Sequence, residues 1–230
     1  AVPLEVTNCV PPPSGMVAWW PLDEGSGTTA NDIAGVNNQG TLVNGPVWVA
    51  GKVAGALDFS TGGYVEAPDA SEFHFTTGEL TIDAWIKAKS GGNPNDPDEI
   101  VWKRTGGPNN TGFSFQLSGA AGSAGQLQFA ASVNGALITT VTGGPNLRDD
   151  QWHHVAVTLK SGDQAILYVN GNPVASAPAG AFSTLANNEP LRIGRPSAAW
   201  FPQTSFFGFI DEVEIFNRAL TQQEIQDIYN

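Results

Sequence analysis

Asp211 is the residue whose position most needs a chemical reason. It stands in Phe206-Phe207-Gly208-Phe209-Ile210-Asp211-Glu212-Val213-Glu214-Ile215-Phe216, a run that alternates as a strand does. Strict alternation puts Phe209, Asp211, Val213 and Ile215 on one side and Ile210, Glu212, Glu214 and Phe216 on the other. An acid in line with two aliphatic residues is expected to be buried. Burial of a carboxylate is costly unless it is paired, hydrogen-bonded or bound to a metal. A hard cation such as calcium takes about six to eight oxygen ligands. The short, glycine-bearing and oxygen-rich loop from Asp23 to Asn38 offers such ligands, Asp32 among them. The competing reading needs no ion: Asp32 forms a side-chain turn and Asp211 accepts backbone N–H groups.

Other residues suggest other chemistry. Glu212 and Glu214, two apart on one strand face, lie about 7 Å from each other. That is compatible with the pair of acids that glycoside hydrolysis uses, although exposed acids on a solvent-facing strand explain them equally. Asn93-Pro94-Asn95-Asp96-Pro97-Asp98-Glu99 is a second oxygen cluster, but its two prolines limit how it wraps an ion and it reads as a solvated loop. His153 and His154 are adjacent, so on a strand they face opposite ways and do not share a zinc ion. Sugar binding uses an aromatic platform with amide and carboxylate partners. Trp200 and Phe201, in an aromatic loop from Ala198 to Phe206, are candidates for that platform, with Trp102 and Asn109 at a comparable rim. The same loop could instead contact a protein or fold back on the core. Asn110 opens an Asn-Asn-Thr sequon.

The elements that must position these residues are almost all strands. Strands are expected near 40–43, 46–49, 55–59, 62–66, 79–88, 99–103, 111–118, 125–133, 136–142, 151–160, 164–170, 173–177, 190–194 and 206–216, after a first strand from Met16 to Leu22. Asn134-Gly135 and Asn170-Gly171 are tight-hairpin signals, because a type I′ turn needs positive φ at both positions. Leu57-Asp58-Phe59 and Tyr64-Val65-Glu66 read as a hairpin over Gly62-Gly63. Thr221 and Glu224 form a capping box, stapled by Leu220 and Ile225, so a short helix closes the chain near Tyr229. Such spacing predicts a two-sheet antiparallel β-sandwich with Trp19, Trp85, Trp152 and the phenylalanines between the sheets. Residues 1–14 read as an extension. Within it Val2, Leu4 and Val6 alternate as an edge strand that could join a neighbouring copy, or as a linker ahead of the stiff Pro11–Pro13.

Composition narrows the function. The 230 residues carry 10 basic and 22 acidic side chains, a net charge of −12. This argues against nucleic acid and against anionic membrane surfaces. No apolar run is long enough to span a bilayer. Charged residues make up only 14% of the chain, a mix that suits a loop-rich extracellular β protein. The single cysteine, Cys9, allows no internal disulfide. The start at Ala1 fits removal of a signal peptide, and a fragment boundary would look the same.

Several motifs, in order, resemble laminin G-like, concanavalin A-like jelly-roll domains. They are Leu80-Thr81-Ile82-Asp83-Ala84-Trp85-Ile86, Trp152-His153-His154-Val155-Ala156-Val157, Leu167-Tyr168-Val169-Asn170-Gly171, Leu191-Arg192-Ile193-Gly194 and the closing Gly208-Phe209-Ile210-Asp211-Glu212-Val213-Glu214-Ile215-Phe216-Asn217-Arg218-Ala219-Leu220-Thr221. The resemblance covers about residues 15–230 and implies an all-β jelly roll with a short C-terminal helix. It also implies that Asp32 lies near Asp211, so that both, with loop carbonyls around Asn37, would hold a structural calcium ion. Related glucanases carry a Glu-x-Asp-x-Glu-like motif on a cleft-lining strand, and this chain has none. The resulting expectation is a secreted, calcium-stabilised, non-catalytic module that binds carbohydrate or an extracellular protein. A surface assembly joined through residues 1–10 is the alternative, and a glycosidase the remote one.

Overall fold

A computed structural model of the chain describes residues 11–35, 37–197 and 205–230. The strands are β1 (Met16–Trp20), β2 (Thr29–Ala30), β3 (Gly40–Val43), β4 (Val47–Ala50), β5 (Gly55–Asp58), β6 (Tyr64–Ala67), β7 (Glu79–Ala88) and β8 (Asp98–Arg104). They continue with β9 (Gly112–Leu117), β10 (Leu127–Val133), β11 (Ala136–Gly143), β12 (His153–Lys160), β13 (Gln164–Val169), β14 (Asn172–Pro178), β15 (Leu191–Ile193) and β16 (Gly208–Phe216). A 3₁₀ turn spans Ser71–His74, and α1 (Gln222–Tyr229) ends the fold. Two antiparallel sheets result. The first runs β14-β13-β12-β7-β16-β5-β4, with β1 also on β16; the second runs β11-β10-β9-β8-β15-β6-β3-β2.

Period-two patterning explains the layers. Leu80, Ile82, Ala84 and Ile86 of β7, and Val155, Val157 and Leu159 of β12, face the second sheet. Phe113, Phe115, Phe129 and Leu191 answer from the other side. Both Asn-Gly hairpins form as their residue types require: Asn134 and Gly135 take φ of 49° and 80°, Asn170 and Gly171 take 50° and 74°. The helix forms on its cap, Thr221 accepting from the Glu224 N–H at 3.3 Å while Glu224 accepts the Thr221 N–H at 2.8 Å. It packs Leu220, Ile225 and Ile228 on Ala156, Tyr168 and Phe216, on the outer face of the first sheet.

Three expectations are corrected. Leu57–Phe59 and Tyr64–Glu66 are not a hairpin: β5 pairs with β4 and β16, whereas β6 pairs with β3 and β15 in the other sheet. Phe59, fully buried, donates its N–H to the Gly208 carbonyl and anchors the chain as it turns the corner between sheets. Trp20, not Trp19, enters the core, because the β1 register slips between Met16 and Ala18. Trp85 faces outward beneath α1 against Tyr229, and Trp152 packs on Phe209.

The third correction concerns Asp211. A β-bulge interrupts β16 between Asp211 and Glu214, with Glu212 at φ 49° as the extra residue. Alternation therefore resets. Ile210, Val213 and Ile215 face the core, while Asp211 opposes Trp85 and Glu214 opposes Asp83 on the outer face. Asp211 is buried without being in line with Val213. The bulge sits where β16 exchanges one partner for another: β5 pairs with Phe209 and Ile210, and β1 with Val213 onward.

Candidate functional site

The outer face of the second sheet carries an ordered polar row. On β9, β10 and β11 the core takes Phe115, Phe129 and Val141, so alternation turns Gln116, Gln128 and Thr142 outward. They are neighbours across the strands. Gln116 donates to Gln128 at 2.6 Å, and Gln128 donates to Thr142 at 2.9 Å. Each half-buried amide is thus held in one orientation with hydrogen-bonding capacity left over. The row continues onto β8 at Glu99, the register partner of Gln116. Glu99 is fully buried, with the Phe115 N–H and the Arg104 charge as its only favourable neighbours among the described residues. Burial pushes its carboxyl well above the usual range. A parallel row runs Ser114, Trp102, Arg192 and Glu66, with Arg192 donating to Glu66 at 2.9 Å.

Trp102 faces this surface but is only 2% exposed. Its indole N–H donates to the Arg104 carbonyl at 3.1 Å, so it is not an open platform. Asn109 lies on an exposed rim, in a polar cleft of 360 Å³ with Thr105, Thr111, Asn187 and Glu189. Behind that cleft is a residue the sequence did not flag. Lys103 is fully buried on the core side of β8, and its ammonium donates to Asp69 at 2.6 Å, the Glu189 carbonyl at 2.7 Å and the Asn187 carbonyl at 3.0 Å. Only an alternation count across the bulge between Glu99 and Val101 could have found it. Asn110, the sequon residue, has its side-chain oxygen taken by Arg104 at 2.7 Å and by Ser132. Trp200, Phe201, Val2, Leu4 and Val6 lie outside the described residues, as does Cys9.

The carboxylates expected to share a cation grip different segments. Asp32 accepts the N–H groups of Trp19 and Ala34, both at 2.9 Å, and of Asn38 at 2.8 Å. Asn37, next to it, is exposed with φ 69°. Asp211 accepts the N–H groups of Lys52 at 2.8 Å and Val53 at 3.0 Å through one oxygen, and leaves the other buried without a partner. Burial raises its carboxyl to about 7, helped by the nearby charges of Glu212 and Asp23. Trp19 bonds the 32–33 loop along the β1 edge that faces away from β16. Asp32 thus holds the loop on the outer edge of β1, and Asp211 holds the turn at Lys52 and Val53. Among the described residues no three His, Cys, Asp or Glu side chains are grouped to hold a metal.

The sequence profile described as the concanavalin A-like lectin/glucanases superfamily, of laminin G type, matches residues 59–226. The chain belongs to this superfamily. No curated protein matches it in sequence. Among solved structures it is similar to the binding domain of Paraclostridial Mosquitocidal Protein 1, at 17% identity and a TM-score of 0.73 over 94% of this chain and 52% of that one. The chain thus spans about half the length of that toxin domain. It is also similar to domain 4 of AbnA, an extracellular arabinanase from Geobacillus stearothermophilus, solved with arabinotriose. There the identity is 17% and the TM-score 0.69, over 94% and 98% of the two chains. A Trypanosoma rangeli sialidase is similar at 20% identity and a TM-score of 0.65, over 95% of this chain and 33% of that one. At these identities the likeness establishes the two-sheet fold shared with this superfamily member, and its function rests on its own residues.

In this superfamily member Glu212 and Glu214 are not solvent-facing acids. Glu212 accepts the Trp19 indole N–H at 2.6 Å. Glu214 is 9% exposed, and its neighbour across the strands is Asp83. Burial raises the Glu212 carboxyl as well. His153 and His154 do point apart: His153 bonds Asp149 at 3.1 Å near the surface, and His154, fully buried, reaches Asp83 at 3.3 Å. Asp96 and Asp98 of the proline-bearing cluster are claimed by Arg148, whose guanidinium bonds the Asp98 carboxylate at 2.6 Å and the Asp96 carbonyl at 2.5 Å.

Proposed function

We propose that the chain is a non-catalytic carbohydrate-binding module that acts outside the cell. Its glycan surface is the outer face of the second sheet. The observation that carries this reading is the Gln116–Gln128–Thr142 ladder, which runs across three strands of that face. Neutral sugars present alternating hydroxyl donors and acceptors, and a row of oriented amides and hydroxyls with spare capacity complements them without charge. Membership of a superfamily that includes lectins supports the reading, as does a similar domain solved with arabinotriose. The extracellular setting is supported by the acidic, charge-poor composition. No helix among the described residues is long and apolar enough to cross a membrane.

The test is retention on an array of neutral oligosaccharides, arabinotriose included. The wild-type chain is expected to bind at least one glycan class. The double variant Gln116→Ala, Gln128→Ala is expected to weaken that binding by about tenfold or more, since each lost hydrogen bond is worth about 1 kcal/mol. Retention unchanged in the double variant, or no retention of any neutral glycan, overturns the proposal.

A structural calcium ion is a separate proposal. It rests on the unpartnered buried oxygen of Asp211 at the bulge, with loop carbonyls and water completing the shell. Added calcium is then expected to raise the Tm of the wild-type chain and not that of Asp211→Asn, by mass action on the folded state. A wild-type Tm indifferent to both calcium and chelator refutes it.

A further inference from the structure

The outer face of the first sheet holds a second site that the glycan reading does not use. A cavity of 360 Å³ opens between β1, β16 and α1. Its walls are Pro11–Pro13 and Ile228, with the half-buried Trp19 beside them. Its polar groups are Glu214, Glu224 and Asp227. Across the strands the row reads Tyr168, Ala156, Asp83, Glu214, Trp19, so Asp83 stands directly behind Glu214. One oxygen of Glu214 and one of Asp83 are buried without any partner. Among the described residues no lysine or arginine pairs with Asp83, Glu212 or Glu214. The Arg218 guanidinium is bound to Glu224, at 2.5 and 3.0 Å. Leaving buried carboxyl oxygens unsatisfied is expensive, and this fold does so twice at one spot.

The lining offers acceptors and hydrocarbon. The Trp19 indole N–H is already spent on Glu212, so the cavity has carboxylates, an aromatic surface and a proline wall. That combination suits a cationic head on an apolar stem: carboxylates take the charge, the indole contributes a cation–π contact, and the prolines and Ile228 cover the stem. We propose that this cavity binds the guanidinium or ammonium end of a basic side chain presented by a protein partner, with Glu214 as its principal counter-charge.

The charged and titratable groups facing Glu214 are Asp83 on β7, His154 on β12, Glu212 in the bulge, and Glu224 and Asp227 on α1, with Arg218 just before the helix. Burial and the charges of Asp83 and Glu212 raise Glu214 to about 9, and burial holds His154 near 4, hence neutral. A cation must therefore displace a proton, and binding strengthens as pH rises.

The experiment is calorimetric titration of the whole chain with agmatine, an alkyl guanidinium, at pH 6 and pH 8.5. The expected result is saturable binding, tighter at the higher pH, weakened at least tenfold in Glu214→Gln and measurably in the rim variant Asp227→Asn. N-butylurea, similar in shape but neutral, is expected not to bind. Binding of agmatine that is absent, equal to that of butylurea, insensitive to pH, or unchanged in both variants overturns the proposal. Glucosamine bound more tightly than agmatine overturns the basic-side-chain source in favour of an amino sugar.

Discussion

Glu214 is one of several buried acids of the fold, and it carries a large electrostatic cost. Its carboxyl is about 9 in the folded state and ordinary when unfolded, so the folded state holds a proton that the unfolded state gives up. For a raised acid the sign is fixed. Its contribution is intact below the unfolded value, near 4.5, and is lost progressively as pH climbs through the folded value near 9. Stability without a bound cation is therefore expected to decline from about pH 5 to pH 9. Glu214→Gln should lessen that decline, to which the other buried acids also contribute, and be the more stable protein at pH 8 by on the order of 1 kcal/mol or more. Urea titrations at pH 5, 7 and 8 for both proteins check this; parallel pH profiles would refute the assignment. None of this was legible in the sequence. Alternation correctly marked an acid in this strand as buried, but it placed Asp211 on the wrong face and Glu214 in solvent, because the extra residue Glu212 resets the count. A bulge leaves no compositional mark when the inserted residue is not glycine.

At the scale of elements, local signals that carry their own geometry were read correctly. The two Asn-Gly turns fix hairpin register by backbone φ alone. The capping box fixed the start of α1, and the helix ends at Tyr229 as expected. Thr221→Ala removes the group that receives the Glu224 N–H and is expected to cost about 1 kcal/mol. Because α1 roofs the Ala156–Tyr168–Phe216 cluster, hydrogen exchange should quicken there and not in the second sheet. Uniform quickening in both sheets would contradict the helix as a separately fraying lid. What sequence could not give was sheet membership. The Gly62-Gly63 segment looks like a hairpin because its flanks alternate, yet the chain there crosses from one sheet to the other. The Gln116–Gln128–Thr142 ladder was invisible for a related reason: its members come from three strands, and pairing across strands is a tertiary fact. The binding residues expected from sequence were Trp200, Phe201, Trp102 and Asn109; Trp200 and Phe201 lie outside the described residues, Trp102 is buried, and Asn109 stands at an exposed rim.

At the scale of the whole molecule, the jelly-roll architecture followed from strand spacing and ordered motifs, and the superfamily match bears it out. The two outer faces differ in character. The second sheet's outer surface carries a ladder of amides and a hydroxyl beside the Arg192–Glu66 ion pair; the first sheet's is acidic, recessed and partly roofed by α1. The net charge of −12 is compatible with both an uncharged glycan on one side and a basic partner on the other.

The described fold also begins and ends at one corner. The Asn217 N–H bonds the Gly15 carbonyl at 2.8 Å, the Arg218 guanidinium bonds the Ser14 carbonyl at 2.7 Å, and Pro11–Pro13 share a cavity wall with Ile228 of the last helix. A larger polypeptide can therefore carry this sandwich as an inserted bead, entering and leaving through a single doorway without stretching its own backbone. The same adjacency makes the domain a natural substrate for circular permutation, with new ends opened at the exposed Asn134-Gly135 tip.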